Sequence, residues 1–166
     1  KSTLVGRGKS GVKYRAFPET LQKELRHYVE KGGDLIVSGE YVVSDLLDSR
    51  SSRADREFAA EVLGAAGAES EYPSQGRVRD IDGGKAIRYS STLNAGQYVV
   101  EKPDVILPSE DARTREILTF SESGNRAGQI VEVGRGNVAV LTVPIESISD
   151  PNDRAVLLNR IIKRMK

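Results

Sequence analysis

FPETLQKELRHYVEKGGDLIVSG, residues 17–39, is the stretch that decides the fold class. Its first part, 17–31, predicts an amphipathic helix that Pro18 starts well and a Gly-Gly pair ends. Three apolar residues share one face of this helix: Leu21, Leu25 and Tyr28. The second part, 34–39, is short, rich in β-branched apolar residues and bounded by glycine, which is typical of a buried parallel strand. A helix that leads directly into a buried strand favours an α/β fold.

The rest of the chain supplies further helices and a second buried strand. Helices are predicted near 41–48 and over 53–65, and the strand is NVAVLTVPI, residues 137–145. The last helix, 150–165, starts at an Asp-Pro pair that suits an N-cap and a first turn. The residues that we expect to face inward are Phe58, Val62 and Leu63 in the helix over 53–65, and Val156, Leu157, Ile161 and Met165 in the helix over 150–165.

Residues 67–133 have a different character, with short alternating apolar runs separated by Gly, Pro, Ser and Asp. An Asp-Gly-Gly turn at 82–84 joins two of these runs and predicts a hairpin. We therefore predict a single α/β domain over 1–166, a three-layer sandwich with a mainly parallel sheet. The segment 67–133 would be a β-rich insertion that lies on this sheet or extends it. Because the sequence starts at Lys1 rather than Met, we expect it to be a fragment of a longer chain.

Composition excludes several classes of function. The net charge is +1, from 25 basic and 24 acidic residues, which predicts neither a nucleic-acid partner nor attachment to a membrane surface. The sequence has no apolar run of about 18 residues, so no membrane insertion is expected. The absence of cysteine excludes disulfides, thiolate metal sites and a cysteine nucleophile.

TLVGRGKSG, residues 3–11, resembles a phosphate-binding loop. The Walker A pattern G-x-x-x-x-G-K-[ST] requires glycine where this sequence has Thr3. Such a loop must also follow a buried strand and open a helix, whereas the next predicted helix starts only near Pro18. We interpret the segment around Lys9 as a flexible basic surface loop.

Two blocks of the sequence resemble the class I glutamine amidotransferase-like (flavodoxin-like) superfamily. LQKELRHYVEKGGDLIVSGEYV, residues 21–42, is similar to the helix, Gly-Gly turn and strand that lead into the nucleophile elbow of that superfamily. NRAGQIVEVGRGNVAVLTVPIESISDPNDRAVLLNRIIKRM, residues 125–165, is similar to its late hairpin, last strand and closing helix. The nearest resemblance is to the amidotransferase-like module of large secreted Bacteroidetes proteins, some of them labelled xanthan lyase. This resemblance implies a flavodoxin-like sheet, an exported parent protein and a carbohydrate-related context.

The resemblance also implies that amidotransferase chemistry is absent. The catalytic cysteine of active members corresponds to Gly39, and their catalytic histidine corresponds to Pro144, while Glu146 occupies the position of their glutamate. Acyl transfer needs a nucleophile and an adjacent base, and neither Gly39 nor Pro144 supplies one. A shift of one residue would place Ser38 or Glu40 at the elbow, without a histidine to pair with it.

Three residues are candidates for a different chemistry. Glu40 and Tyr41 follow the first buried strand and Glu146 follows the last, so all three are expected at the carboxyl edge of the sheet. Two carboxylates in one cleft could perform acid–base chemistry or hold a hard cation. The alternative is that Glu40 caps the following helix and Glu146 accepts a local backbone hydrogen bond.

The other polar residues have simpler interpretations. His27 is the only histidine, and its position within a helix favours a surface role. Six arginines could form an anion or uronate patch if the fold gathers them, although interleaved acidic residues favour a solvated face: Arg50, Arg53, Arg56, Arg113, Arg115 and Arg126. Six tyrosines are too scattered to predict a sugar-stacking platform: Tyr14, Tyr28, Tyr41, Tyr72, Tyr89 and Tyr98. Established metal and nucleophile motifs are absent from the sequence, and no cofactor is expected.

The sequence thus favours a non-catalytic structural, interaction or ligand-binding module of a larger, exported protein. Its expected partners are other domains of the parent chain and a carbohydrate. The alternative is a hydrolase or lyase with a carboxylate site around Glu40 and Glu146. Carboxylates that converge in an open cleft would favour the enzyme, and carboxylates satisfied by backbone would favour the module.

Overall fold

A computed structural model describes residues 15–91 and 99–166 of the chain. The loop at 3–11 that resembles a phosphate-binding loop lies outside the described residues, as do Tyr14 and Tyr98. Three α-helices occur in the described part: α1 (Glu19–Glu30), α2 (Arg53–Glu61) and α3 (Pro151–Met165). No helix in these two ranges has the length and hydropathy of a bilayer-spanning segment.

Eight strands accompany these helices within the described ranges. They are β1 (Leu35–Ser38), β2 (Ala65–Ser70), β3 (Arg77–Asp80), β4 (Ile87–Arg88), β5 (Asp104–Pro108), β6 (Thr114–Phe120), β7 (Arg126–Val133) and β8 (Gly136–Leu141). Six of them form a sheet in the order β1-β8-β7-β6-β3-β4, and β2 and β5 form a separate antiparallel ribbon. Only β1 and β8 are parallel neighbours, since each other adjacent pair in the sheet is antiparallel. The predicted three-layer sandwich with a mainly parallel, flavodoxin-like sheet is therefore wrong.

The error lies in the extent of the sheet: β1 and β8, the two strands predicted to be buried and parallel, are parallel neighbours, but segment 67–133 supplies the other four strands of the sheet. β8 is buried on both faces, and such a strand has the near-continuous apolar run that parallel sheets also contain. A continuous apolar run indicates burial and carries no information on strand direction. Direction follows from the connection: two residues, Gly134 and Arg135, link β7 to β8, and only an antiparallel pair can be joined by so short a turn.

The sheet separates two apolar cores, because alternate residues of a strand point to opposite faces. In β8, Val138 and Val140 pack in the core that contains Val29 of α1 and Phe58 of α2. The intervening residues, Ala139 and Leu141, pack in the other core, which includes three residues of α3: Leu157, Ile161 and Met165. Both faces of the sheet are thus covered, so a functional site is expected at its edges or in its loops.

The helix termini follow their sequence signals. Ser52 caps α2 by accepting a hydrogen bond from the Asp55 amide, and the Asp55 side chain accepts from the Ser52 amide in return. The Asp150 side chain accepts from the Asn152 amide and Pro151 opens α3, which confirms the predicted start of this helix.

Other details of the helices differ from the prediction. In α1, Leu21 and Tyr28 are 41% and 52% exposed, whereas Gln22 and Val29 are buried, so the predicted apolar face is displaced by one residue. Val156 of α3 is likewise exposed. The helix expected near 41–48 is a single 3₁₀ turn at Ser44–Leu46.

The segment 67–133 contributes β3, β4, β6 and β7 to the six-stranded sheet. The predicted hairpin at 82–84 is confirmed, since β3 and β4 pair across it and Gly83 and Gly84 have positive φ angles of 83° and 138°. The description of the chain as a single domain with an insertion stays a prediction.

Candidate functional site

The candidate site lies at one edge of the sheet, where β1, β4, β6 and β8 end and β3 and β7 begin. The loops that meet there carry an unusual number of buried polar side chains. Four of them are acidic or phenolic: Glu40, Glu71, Tyr89 and Asp104. We name these residues the edge cluster.

Glu40 binds the loop that precedes β5. It is 5% exposed, and one carboxylate oxygen accepts hydrogen bonds of 2.7 Å from the Glu101 amide and 2.6 Å from the Lys102 amide. The Glu40 carbonyl oxygen accepts a third bond, from the Asp104 amide at 2.9 Å. The side chain therefore acts as an anchor for backbone about 60 residues away in sequence.

Asp104, at the end of the loop that Glu40 anchors, binds backbone of the loop that contains Glu40. One of its carboxylate oxygens accepts from the Val43 and Ser44 amides at 2.9 Å and 2.8 Å. Burial raises the pKa of Asp104, and the charge of Glu40 raises it further, against the opposing hydrogen bonds from Ser44 and Val43. Glu40 and Asp104 thus connect the same two loops reciprocally.

Glu71 fixes a third loop to this arrangement. Its amide donates to the Pro103 carbonyl oxygen at 2.9 Å, and its carboxylate accepts from Ser123 Oγ at 2.6 Å and Asn125 Nδ2 at 3.1 Å. The next residue, Tyr72, is 68% exposed, and the Lys102 ammonium lies 5.2 Å from the centroid of its ring. An exposed ring therefore stands on a backbone held by buried carboxylates.

Tyr89 is the phenolic member of the edge cluster. It is 2% exposed, and its hydroxyl has no hydrogen-bond partner among the described residues. Burial raises its pKa well above the usual range, as do the negative charges of Glu71, Glu122 and Glu40. Tyr89 therefore remains protonated at physiological pH.

The site residues predicted from the sequence differ in how far the structure buries them. Glu40 is buried and turned towards backbone amides, whereas Tyr41 is exposed. Glu146 is exposed, in a 3₁₀ turn at Ile145–Ser147 after β8. The Gly39 amide donates to the Leu141 carbonyl oxygen at 3.0 Å, so the ends of β1 and β8 are adjacent as the sequence analysis expected. His27 is an exposed residue of α1.

Three of the six arginines lie close together in the structure, around one groove. Arg53, Arg56 and Arg113 line a groove of about 550 Å³, together with four acidic residues: Glu57, Glu61, Asp111 and Glu132. Arg53 pairs with Glu57 at 2.6 Å and Arg113 with Glu132 at 3.6 Å. The other three lie apart, with Arg50 paired to Asp48, Arg126 paired to Glu116 and Arg115 bonded to the Arg164 carbonyl oxygen. The groove is a mixed-charge surface rather than a basic one.

Sequence reasoning missed Glu71, Tyr89 and Asp104. Each lies in or beside a short strand, and the hydrogen-bond partners of Glu71 and Asp104 are on other loops, so no local pattern distinguishes these residues from surface residues. Among residues 15–91 and 99–166, no group of three or more acidic or histidine side chains is arranged to hold a metal ion.

Replacement of Glu40 by Ala is expected to destabilise the fold by about 2 kcal/mol, because the Glu101 and Lys102 amides lose their acceptor. Glu40→Gln retains an oxygen at the same position and should cost less than about 1 kcal/mol. Urea unfolding measures both, with Glu146→Ala as an exposed control. Equal losses for Glu40→Ala and Glu146→Ala would contradict the anchoring role.

Comparisons with known proteins bear on the fold. No family model matches the sequence, and no curated protein matches it either. Among solved structures, Gan42B, a GH42 β-galactosidase, is similar with a TM-score of 0.56 and 12% identity over 89% of this chain and 20% of its own. The β-galactosidase from Bacillus circulans sp. alkalophilus has a TM-score of 0.53 and 11% identity, over 87% of this chain and 20% of its own. A cytoplasmic protein from Salmonella typhimurium has a TM-score of 0.50 and 12% identity, over 85% of this chain and 58% of its own.

These similarities correct the family resemblance drawn from the sequence. The structures named above are two glycosidases and a small cytoplasmic protein, not amidotransferase-like domains, and the sheet is mixed. The descriptions amidotransferase-like, flavodoxin-like and xanthan lyase-like are therefore wrong for this chain. The chain spans about a fifth of the length of the two β-galactosidases that it matches.

Proposed function

We propose that this chain is one domain of a carbohydrate-hydrolysing protein, in which it makes contact with carbohydrate without performing the hydrolysis. The observation that carries the proposal is the fold: nearly the whole chain matches a part of two β-galactosidases, and that part is about a fifth of each. Its proposed partners are the other domains of such a protein and a saccharide. Export of the parent protein stays a prediction.

The contacts of the edge cluster support a non-catalytic role for this domain. A general acid or base must present a carboxyl group to the substrate, often with a raised pKa. The Glu40 carboxylate is instead buried and bonded to two amides of a neighbouring loop. Asp104 has a raised pKa, yet it is 1% exposed and bonded to two amides as well.

Hydrolysis by the chain itself is the second candidate function. The likeness to glycosidases favours it, and the ends of β1 and β8 place Glu40 and Glu146 on adjacent segments. Glu146 is exposed and accessible to a substrate, so it is the better candidate of the two for a proton-transferring group.

One experiment separates these functions. The 166-residue chain is screened against immobilised oligosaccharides and against 4-nitrophenyl β-galactoside and β-mannoside. We expect retention of at least one oligosaccharide and no release of 4-nitrophenol above the buffer rate. A chain that neither binds nor hydrolyses any saccharide would exclude the proposal. Hydrolysis that falls by about 100-fold or more in Glu146→Gln, with the fold unchanged, would establish the second candidate instead.

A further inference from the structure

Tyr72 and Lys102 form a cation–π pair on the described surface. Tyr72 is the most exposed of the large hydrophobic side chains described, at 68%. The Lys102 ammonium lies 5.2 Å from its ring centroid and forms no ion pair with a described residue. We name this pair the tyrosine platform. A tyrosine ring combines a flat apolar face with a polar hydroxyl, so an exposed ring at a fixed position can serve as a contact surface for a ligand.

The backbone on both sides of the platform is held in place. The Lys102 amide donates to the buried Glu40 carboxylate at 2.6 Å. Residue 71, directly before Tyr72, is anchored through its own amide to Pro103 and through its carboxylate to Ser123 and Asn125. Because these contacts order the loops before any ligand arrives, the entropy cost of binding at the platform is small.

The chemistry of the platform fits a sugar. A hexose presents an apolar C–H face and a rim of hydroxyl groups, and a tyrosine ring offers a flat apolar surface of similar size. The Lys102 ammonium lies over the ring, so a sugar would stack on the opposite face of this 68% exposed side chain. The ammonium offers three hydrogen-bond donors to hydroxyl groups that extend past the edge of the ring.

The charges around the platform select the kind of sugar. Glu40 and Glu71 are buried and bonded to the loop that carries Lys102, and Glu101 precedes Lys102 in the chain. These carboxylates disfavour an anionic ligand, while the Lys102 ammonium disfavours a cationic one. On this basis, and resting on the proposed function, we propose that Tyr72 and Lys102 form a binding site for neutral saccharides.

The test compares two ligands of equal length on the 166-residue chain, β-1,4-galactotetraose and tetragalacturonate, by isothermal titration calorimetry. We expect galactotetraose to bind more tightly than tetragalacturonate. Tyr72→Ala should weaken galactotetraose binding by about 10-fold, and Tyr72→Phe, which retains the ring, should change it by less than about 2-fold. Lys102→Met should weaken it by about 5-fold.

Matched controls keep the result interpretable. Tyr28→Ala removes another exposed tyrosine, on α1, and should leave binding unchanged. Circular dichroism of each variant establishes that the fold is retained. Tighter binding of tetragalacturonate, or unchanged galactotetraose binding in Tyr72→Ala, would overturn the platform while leaving the proposed function intact. A wild-type chain that binds no saccharide of any kind would overturn both.

Discussion

Replacement of Gly136 by Ala is expected to destabilise the fold by about 3 kcal/mol. Gly136 begins β8 against the end of α1, where an added Cβ would overlap the Gly33 carbonyl oxygen and lie 2.6 Å from the Val29 carbonyl oxygen. Both neighbours are backbone atoms, so a change of rotamer cannot relieve the overlap, and α1 would have to move away from the sheet. Urea unfolding followed by far-UV circular dichroism measures the loss.

Gly124→Ala is the matched control for this prediction. Gly124 has a φ angle of 76°, and an added Cβ would meet nothing within 4 Å, so the substitution introduces backbone strain without overlap. Its cost should be about 1–2 kcal/mol. If the two variants were destabilised equally, the close approach of α1 to β8 would not be the cause.

Replacement of Asp80 by Ala is expected to destabilise the fold by about 3 kcal/mol at pH 7. Asp80 ends β3 with its side chain 1% exposed, and its carboxylate binds Arg164 at 2.7 Å and Arg160 at 3.2 Å. Both arginines belong to α3, so this carboxylate fastens the last helix to the sheet. Its removal leaves the guanidinium of Arg164, which is 18% exposed, without its main partner.

The effect of Asp80→Ala should depend on pH in a defined direction. Burial by itself raises the pKa of Asp80, but hydrogen bonds from Arg164, the Asp82 amide and Arg160 outweigh it and lower the pKa from its ordinary value of 3.8. A lowered pKa contributes stability that is fully present above about pH 4 and is lost as the pH falls through the folded-state pKa. The difference between wild type and Asp80→Ala should therefore shrink as the pH is lowered from 4 to 2.

Asp82→Ala is the control for the pH series, because Asp82 also pairs with Arg164 but its side chain is 73% exposed. It should change stability by less than about 0.5 kcal/mol at any pH, as exposed ion pairs do. A constant difference between wild type and Asp80→Ala from pH 7 to pH 2 would refute the electrostatic explanation.

The starts of the helices and one hairpin could be predicted from the sequence, whereas the helix expected near 41–48 is a single 3₁₀ turn. The helix boundaries near Pro18, Ser52 and Asp150 follow from capping preferences and the period of apolar residues, which act over a few residues. The hairpin at 82–84 follows in the same way from a local turn preference. The fold class could not be predicted so well, because the apolar run of β8 indicates burial on both faces and is the same whether its neighbour β7 runs parallel or antiparallel to it.

In the candidate site, too, some features follow from the sequence and others only from the tertiary structure. The sequence alone placed Glu40 and Glu146 after buried strands, at the edge where those strands end, since strand boundaries are encoded locally. Only the tertiary structure decided that Glu40 is an anchor for Glu101 and Lys102, because that role depends on contacts between residues about 60 positions apart. Likewise, Tyr72 became a candidate only when the fold brought Lys102 over its ring and fixed both loops beneath them. Hydrogen bonds and burial of this kind arise from chain topology, to which local propensities contribute no information.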